Sequence, residues 1–401
     1  MAKPTTRIRR IIHPSPFTFR LSPFALRLSP FAFHPSPFTF RLSPFIIALP
    51  RPASLENRPN MSCYHASIEG AQHGAKSLPD FLAYAKRSGA AGAQPSNYHL
   101  QGGKLFKSAK EIRNTFADAG LSLDGISAHC PVWVHTTAWT GSPTIRPFIP
   151  PDVAKKSPAE IEKWAEHYVL KLLDLTAELG IKVLPMFWGV AFGWELATGY
   201  PWGFWAGPGY DLIKEGQERF VKKTKKIRDH ARKLGIKLCH EIHPGTAAMT
   251  ADDFLMLVKI TDGDKSMAVN ADPSHCWEGE SWETRFTKVG AYIYAAHVKN
   301  FTVRPGFPLR SMEPAWPGRA MQFTDLPSGD LNMNRYVELL LNVGFASRYC
   351  QLHGTKTAPL VVEAESAHRD LDSTSANGIG YVRDHLLITP AAGSFEDGMG
   401  A

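Results

Sequence analysis

The phrases Leu179-Gly180-Ile181-Lys182-Val183 and Leu234-Gly235-Ile236-Lys237-Leu238 say the same thing twice. Each closes an amphipathic stretch and passes through a glycine into a β-branched, apolar run. Glycine just past a helix supplies the left-handed cap, so both phrases read as helix end, cap and strand. The first of these helices lies in Lys155 to Leu179 and opens at Ser157-Pro158, a capping side chain with proline at the first helical position. Ile161, Trp164, Tyr168, Leu172 and Leu175 then recur on one face. The second runs from Glu218 to Leu234, and a further helix from Met333 to Leu341 stops before Gly344.

Working outward from these units, strand-like runs end near Tyr64-His65, Gly92-Ala93-Gln94, Ile126-Ser127-Ala128-His129 and Val183-Leu184-Pro185-Met186. Four more end near Leu238-Cys239-His240-Glu241, Val269-Asn270-Ala271-Asp272, Ala295-Ala296-His297-Val298 and Val361-Val362-Glu363. Eight strand signals alternating with helices, without a break in composition, predict an α/β fold, a single (β/α)8 TIM barrel over residues 61–401. An open doubly wound sheet is the alternative. No G-x-G-x-x-G opens the first unit, so the dinucleotide fingerprint of that fold is missing.

Residues 1–60 are of another kind. Ser-Pro-Phe recurs every seven residues from Ser15 to Ser43, and His13 to Phe24 returns unchanged as His34 to Phe45. Eleven of the 31 prolines lie here, which excludes a continuous helix and predicts an extended, disordered, low-complexity tail. A transit peptide would need an amphipathic helix. The reading adopted is upstream sequence with Met61 as the true start, so that the tail is no part of the native protein. The chain's formal charge of +8 belongs to this tail: nine basic side chains stand against Glu56 alone, and residues 61–401 hold 36 groups of each sign. A balanced barrel lacks the surplus a nucleic-acid binder needs. No apolar run approaches the ~18 residues of a membrane span. Five scattered cysteines, odd in number and without a CxxC pair, argue for a reducing compartment, hence the cytoplasm.

Active sites of such barrels form where the strands end. Four successive strands end in metal-ligand types: Glu241, then Asp272 with His275, then His297, then Glu363. Each is costly in an apolar strand unless paired, protonated or bound to a cation. Glu241, Asp272, His297 and Glu363 together offer three carboxylates and one imidazole. That set suits one divalent ion, Mn²⁺ first, with Mg²⁺, Co²⁺ or Zn²⁺ as alternatives, and not a thiolate zinc site. His129, His65 and Gln94 end earlier strands and are weaker candidates for the same mouth. Trp188, directly after a strand, is the chosen sugar-facing ring among Trp133, Trp139, Trp194, Trp202 and Trp205.

The run Glu-x-His-Pro-Gly, then Asp-Pro-Ser-His, then His-x-Lys, then Val-Glu-x-Glu resembles the xylose isomerase-like TIM barrel superfamily, the sugar phosphate isomerase/epimerase group. The resemblance covers about residues 62–388 and is strongest from Gly235 onward. It implies Glu241, Asp272, His297 and Glu363 as metal ligands and His275 facing substrate. Relatives commonly read His-x-Lys-Asp, and Asn300 stands in the acid's place. Phe301 to Ser328 is long, and Ala346 to Pro359 reads as an insertion near the mouth.

The implied function is a metal-dependent sugar isomerase or epimerase. Glu241, Glu363 and His275 are then catalytic; His243, His275, Lys299, His129 and Trp188 bind substrate. Lys299 could equally pair with a strand-end carboxylate. The alternatives are a metal-dependent lyase or dehydratase, a non-catalytic sugar-binding barrel and a DNA repair endonuclease. The last uses more histidines than stand here. A small carbohydrate is the expected partner, with neither nucleic acid nor membrane, and relatives suggest a homo-oligomer.

Overall fold

Eight short parallel strands form the centre of the chain: β1 (Tyr64–Glu69), β2 (Gly92–Gln94), β3 (Ser122–Leu123), β4 (Val183–Met186), β5 (Lys237–Glu241), β6 (Met267–Ala271), β7 (Ile293–Val298) and β8 (Ala358–Val362). This computed structural model describes residues 63–70, 77–190, 212–277, 280–307 and 318–387. The chain divides into units 1–51 and 52–401, and the described residues all belong to the second. The repetitive tail and Trp194, Trp202 and Trp205 lie outside the described residues.

Neighbours in the sheet run β3-β2-β1-β8-β7-β6-β5-β4. First and last strands pair side by side, with Ile68 opposite Val362, as a sheet wound into a barrel requires. Between β3 and β4 no ladder forms. Across that seam the Ala128 N–H donates to Pro185 O at 2.8 Å, and just beyond it the Gly189 N–H donates to the Thr136 hydroxyl. β3 is therefore shorter and earlier than the sequence suggests. Residues 126–128 lead out of it, and His129 opens a helix instead of ending a strand.

Helices alternate with the strands: α1 (Leu78–Arg87), α2 (Ala109–Ala119), α3 (His129–Thr137), α4 (Pro158–Glu178), α5 (Leu212–Leu234), α6 (Ala251–Ile260), α7 (Trp282–Lys288), α8 (Met333–Asn342), α9 (Phe345–His353) and α10 (Leu371–Tyr381). α4 starts as its sequence predicts, with Glu160 accepting from the Ser157 amide at 3.0 Å and proline at the first turn. It buries Ile161, Tyr168, Leu172 and Leu175 along one side. Gly180 and Gly235 end α4 and α5 with φ of 81° and 70°, the left-handed conformation that favours glycine.

α9 corrects the expected insertion. Phe345 and Tyr349, four residues apart, are buried against β7 and β8. Arg348 binds the carbonyls of Gly290 and Ile293, where β7 begins. The segment is barrel wall at the end opposite the mouth.

Asn300, standing where the resemblance led to an acid, has a structural role visible after β7. Residues 300–303 pair antiparallel with 321–324. The Asn300 amide donates to Leu326 O at 2.8 Å and Leu331 O at 3.1 Å, while its oxygen accepts from the amides of Phe301 and Leu331. A carboxylate accepts but cannot donate. Gly329 packs so closely that a Cβ there would lie 2.1 Å from Asn300 Cγ. Asn300→Asp should therefore orphan one buried and one partly buried carbonyl and lower stability by about 2–4 kcal/mol, read from denaturant midpoints at pH 7.

Candidate metal centre

Strand register brings the predicted ligands level. Glu241, last in β5, faces Asn270 of β6, and His297 of β7 faces Val361 of β8, two residues before Glu363. One donor atom each from Glu241, Asp272, His297 and Glu363 lie within 4.8 Å of one another. His297 Nδ1 is 2.9 Å from Glu363 Oε2 and 3.4 Å from Glu241 Oε2. Asp272 Oδ2 is buried with no hydrogen-bond partner among the described residues, and His275 Nε2 lies 3.4 Å from it. A fully buried carboxylate oxygen left open toward a ring of donors is what a cation site requires. The four residues fit a divalent ion.

The electrostatics lead to the same conclusion. Burial opposes charge on Glu241, but His129 and His275 outweigh it and hold the carboxyl well below the usual range. Burial likewise opposes ionisation of Glu363, and Lys299 and His297 keep it low. Burial would neutralise His297 and His275; instead the bond to Glu363 and the charge of Glu241 lift the first, and Asp272 and Glu241 lift the second, both to about 9. Metal-free, the carboxylates are thus balanced by imidazole protons. An ion binding through His297 must displace one of them. Affinity for the ion should accordingly rise about tenfold per pH unit from 6.5 toward 9 and then level off. Titration calorimetry in buffers of different ionisation enthalpy would read the released proton. A pH-independent affinity would contradict this balance.

The surrounding side chains fix the ligands. Gln94 at the end of β2 meets His297 Nε2 at 3.0 Å, orienting the ring from behind. Asn270 donates to Glu241 Oε2 at 2.7 Å. His129 Nε2 lies 3.2 Å from the same oxygen, and its Nδ1 lies 2.8 Å from the Ser127 hydroxyl. His275 Nε2 is 3.2 Å from Glu241 Oε1. His243 packs against His275, the rings tilted by 49° with centroids 4.0 Å apart, and burial and the His275 charge push it down to about 3, so it stays neutral. Glu241, His243 and His275 form a second close grouping that shares Glu241. Lys299 pairs with Glu363 at 2.6 Å and Glu365 at 2.8 Å and lies 4.0 Å over the Phe323 ring. It is held firmly protonated.

Two sequence expectations place residues wrongly. His65 is near the start of β1, which continues to Glu69; it bonds Thr357 at 2.9 Å and Asp124 at 3.1 Å, near where β8 begins. Trp188 is fully buried, edge-on to Phe220, with its amide on His240. Its neighbour Phe187 turns to the mouth instead, 5.0 Å from His129 and 5.5 Å from His243. Trp133 packs on Phe148, and Trp139 lies under Arg219.

One carboxylate was missed. Glu69 ends β1 opposite Gln94 and one step beyond the Ile68–Val362 pair, which sets it beside Glu363. It is buried, and the Ser127 hydroxyl partly offsets the effect of burial on its carboxyl. Burial and the Glu363 charge raise its pKa. Asn270 was missed as well. The signal for both was a polar side chain closing an apolar run.

The family profile described as "Xylose isomerase-like TIM barrel" matches residues 82–363. The chain belongs to this family. Among solved structures, this xylose isomerase-like barrel is similar to a xylose isomerase-like TIM barrel protein from Mycobacterium smegmatis in complex with magnesium: 18% identity, TM-score 0.51, covering 79% of this chain and 95% of that one. It is similar also to the probable 3-DHS dehydratase AsbF from Bacillus anthracis, at 15% identity and TM-score 0.51, covering 80% and 99%. L-ribulose 3-epimerase follows at 12% identity and TM-score 0.50, covering 80% and 93%. At these identities the likeness establishes the fold. No curated protein matches the chain. No helix among the described residues is long and apolar enough to cross a membrane.

Proposed function

We propose that this barrel is a divalent-metal-dependent sugar isomerase or epimerase that moves a proton at the carbon beside a carbonyl. The observation that carries the reading is the gathering of Glu241, Asp272, His297 and Glu363 donor atoms within 4.8 Å at the strand ends. The ion, Mn²⁺ by donor type with Mg²⁺, Co²⁺ or Zn²⁺ able to substitute, would supply Lewis-acid polarisation of a substrate oxygen.

The chain's own residues supply the rest. Glu241 and Glu363 are ionised and stand on strands separated by β6 and β7, so they reach a substrate from different sides. Either can take a proton from carbon. His275, protonated and against Glu241, offers a hydrogen bond to a substrate hydroxyl. Lys299 holds Glu363 in its ionised state. Phe187 and Phe323 flank the centre with apolar faces suited to sugar C–H surfaces.

A second reading, a metal-dependent lyase or dehydratase, is favoured by Glu69. Two neighbouring carboxyls whose environments push them apart, Glu69 toward the acid and Glu363 toward the base, suit an elimination that protonates its leaving group. A screen of ketoses, keto glycosides and cyclitols with Mn²⁺, followed by mass spectrometry, separates the two. An isomerase conserves substrate mass; a lyase yields an unsaturated or shortened product. If purified protein takes up no divalent ion, both readings fail.

A further inference from the structure

Beside the barrel mouth, the described structure holds a cavity of about 310 Å³ that belongs to neither the ligand set nor its supports. It lies between the loop after β2, the start of α3, the segment before α4, and α4 itself. Trp164 and Tyr168 face it from successive turns of α4, their rings 5.3 Å apart. Phe148 and Tyr98 close the other side, with the Tyr98 hydroxyl donating to Phe148 O at 3.2 Å. Tyr98 is 42% exposed, an unusual position for so large a ring.

The polar groups are placed with the same economy. Asn97 and Gln101 both donate to the Tyr168 hydroxyl oxygen, at 3.0 and 3.2 Å. With both lone pairs engaged as acceptors, that hydroxyl keeps its own proton to give. The two amide oxygens remain as acceptors nearby. Asn97 and Tyr168 are almost completely buried, so this trio is a built floor. No charged side chain lines the cavity among the described residues.

Flat aromatic walls, one hydroxyl donor, amide acceptors and no charge recognise a neutral ring carrying hydroxyl groups. A phosphate would enter uncompensated, at a desolvation cost nothing there offsets. The volume is at the small end for ligand pockets, enough for one ring. α3 ties this place to the metal centre: His129, its first residue, meets Glu241, and Pro131, two residues on, lines the cavity.

We propose that this cavity is an accessory subsite for one neutral, unphosphorylated pyranose ring. The substrate of the metal centre is then a glycoside or disaccharide. The class of ligand rests on the carbohydrate reading above; the site itself rests on its own residues.

Full-length protein titrated with methyl glucoside, cellobiose and glucose 6-phosphate, observed by ligand NMR, tests this. The two neutral sugars should saturate in the presence of EDTA, and glucose 6-phosphate should bind no tighter than methyl glucoside. Trp164→Ala should weaken binding at least tenfold. Gln101→Ala, at an exposed position that does not endanger folding, should weaken it severalfold. Absence of saturation by either neutral sugar overturns the proposal. So does undiminished binding in both variants, tighter binding of the phosphate ester, or loss of binding in EDTA, which would place the sugar at the metal. Metal analysis of the same samples tests the metal-centre reading separately.

Discussion

Glu241→Gln should leave purified protein with less than about a tenth of the wild-type divalent metal and lower turnover by about 10³-fold. The size follows from position. Glu241 is the one side chain common to both close groupings at the mouth, and it receives His129, His275 and Asn270 together. Glutamine keeps the shape and the acceptor oxygen while removing the charge that holds two imidazoles protonated. Metal analysis after desalting reads the first effect, and the substrate screen reads the second. An unchanged thermal midpoint would separate loss of the ion from loss of the fold. Full metal content in this variant would remove Glu241 from the ligand set.

Glu69→Gln should behave in the opposite way toward metal. Glu69 is outside the four-donor cluster, so the variant should bind about as much ion as wild type. If the centre runs an elimination, turnover should nevertheless fall by about 10²–10⁴-fold, the range of a lost general acid. The alkaline limb of the pH–rate profile should flatten, because the group that must keep its proton is gone. A variant with normal turnover would make Glu69 a buried structural carboxyl. One that loses metal as well would make it a fifth ligand.

The contrast between these residues also marks how far the sequence could be read. Glu241, Asp272, His297 and Glu363 stand out because four strands in succession end in ligand types, and a parallel barrel has only one place to collect them. The helix boundaries at Gly180 and Gly235 are equally legible, since a cap is a local event. Glu69 was hidden because the first strand runs on past His65 through Ser67-Ile68, and one carboxyl at its true end has no companion in sequence. Phe187 and Trp188 show a different limit. Side chains alternate across a strand, so one of two adjacent aromatics faces the mouth and the other the core. Parity depends on register with β5, set by Met186 opposite His240, which no local pattern reveals. α9 was misread for want of a long apolar stripe; Phe345 and Tyr349 were its only strong signal. The cavity under Tyr98 and Trp164 was out of reach, for it is assembled from the loop after β2 and three separate parts of the β3–β4 connection.

The seam between β3 and β4 has a consequence for how the barrel breathes. A hoop gives first where the fewest backbone bonds close it. Parting the Ala128–Pro185 bond costs about 1 kcal/mol, against several such bonds for any laddered pair. All four ligands lie at the ends of β5 to β8, an arc of unbroken ladders away from the seam. His129 and Phe187 stand on its two lips. Thermal motion can therefore widen and narrow the aromatic side of the mouth while the cation's seat keeps its dimensions.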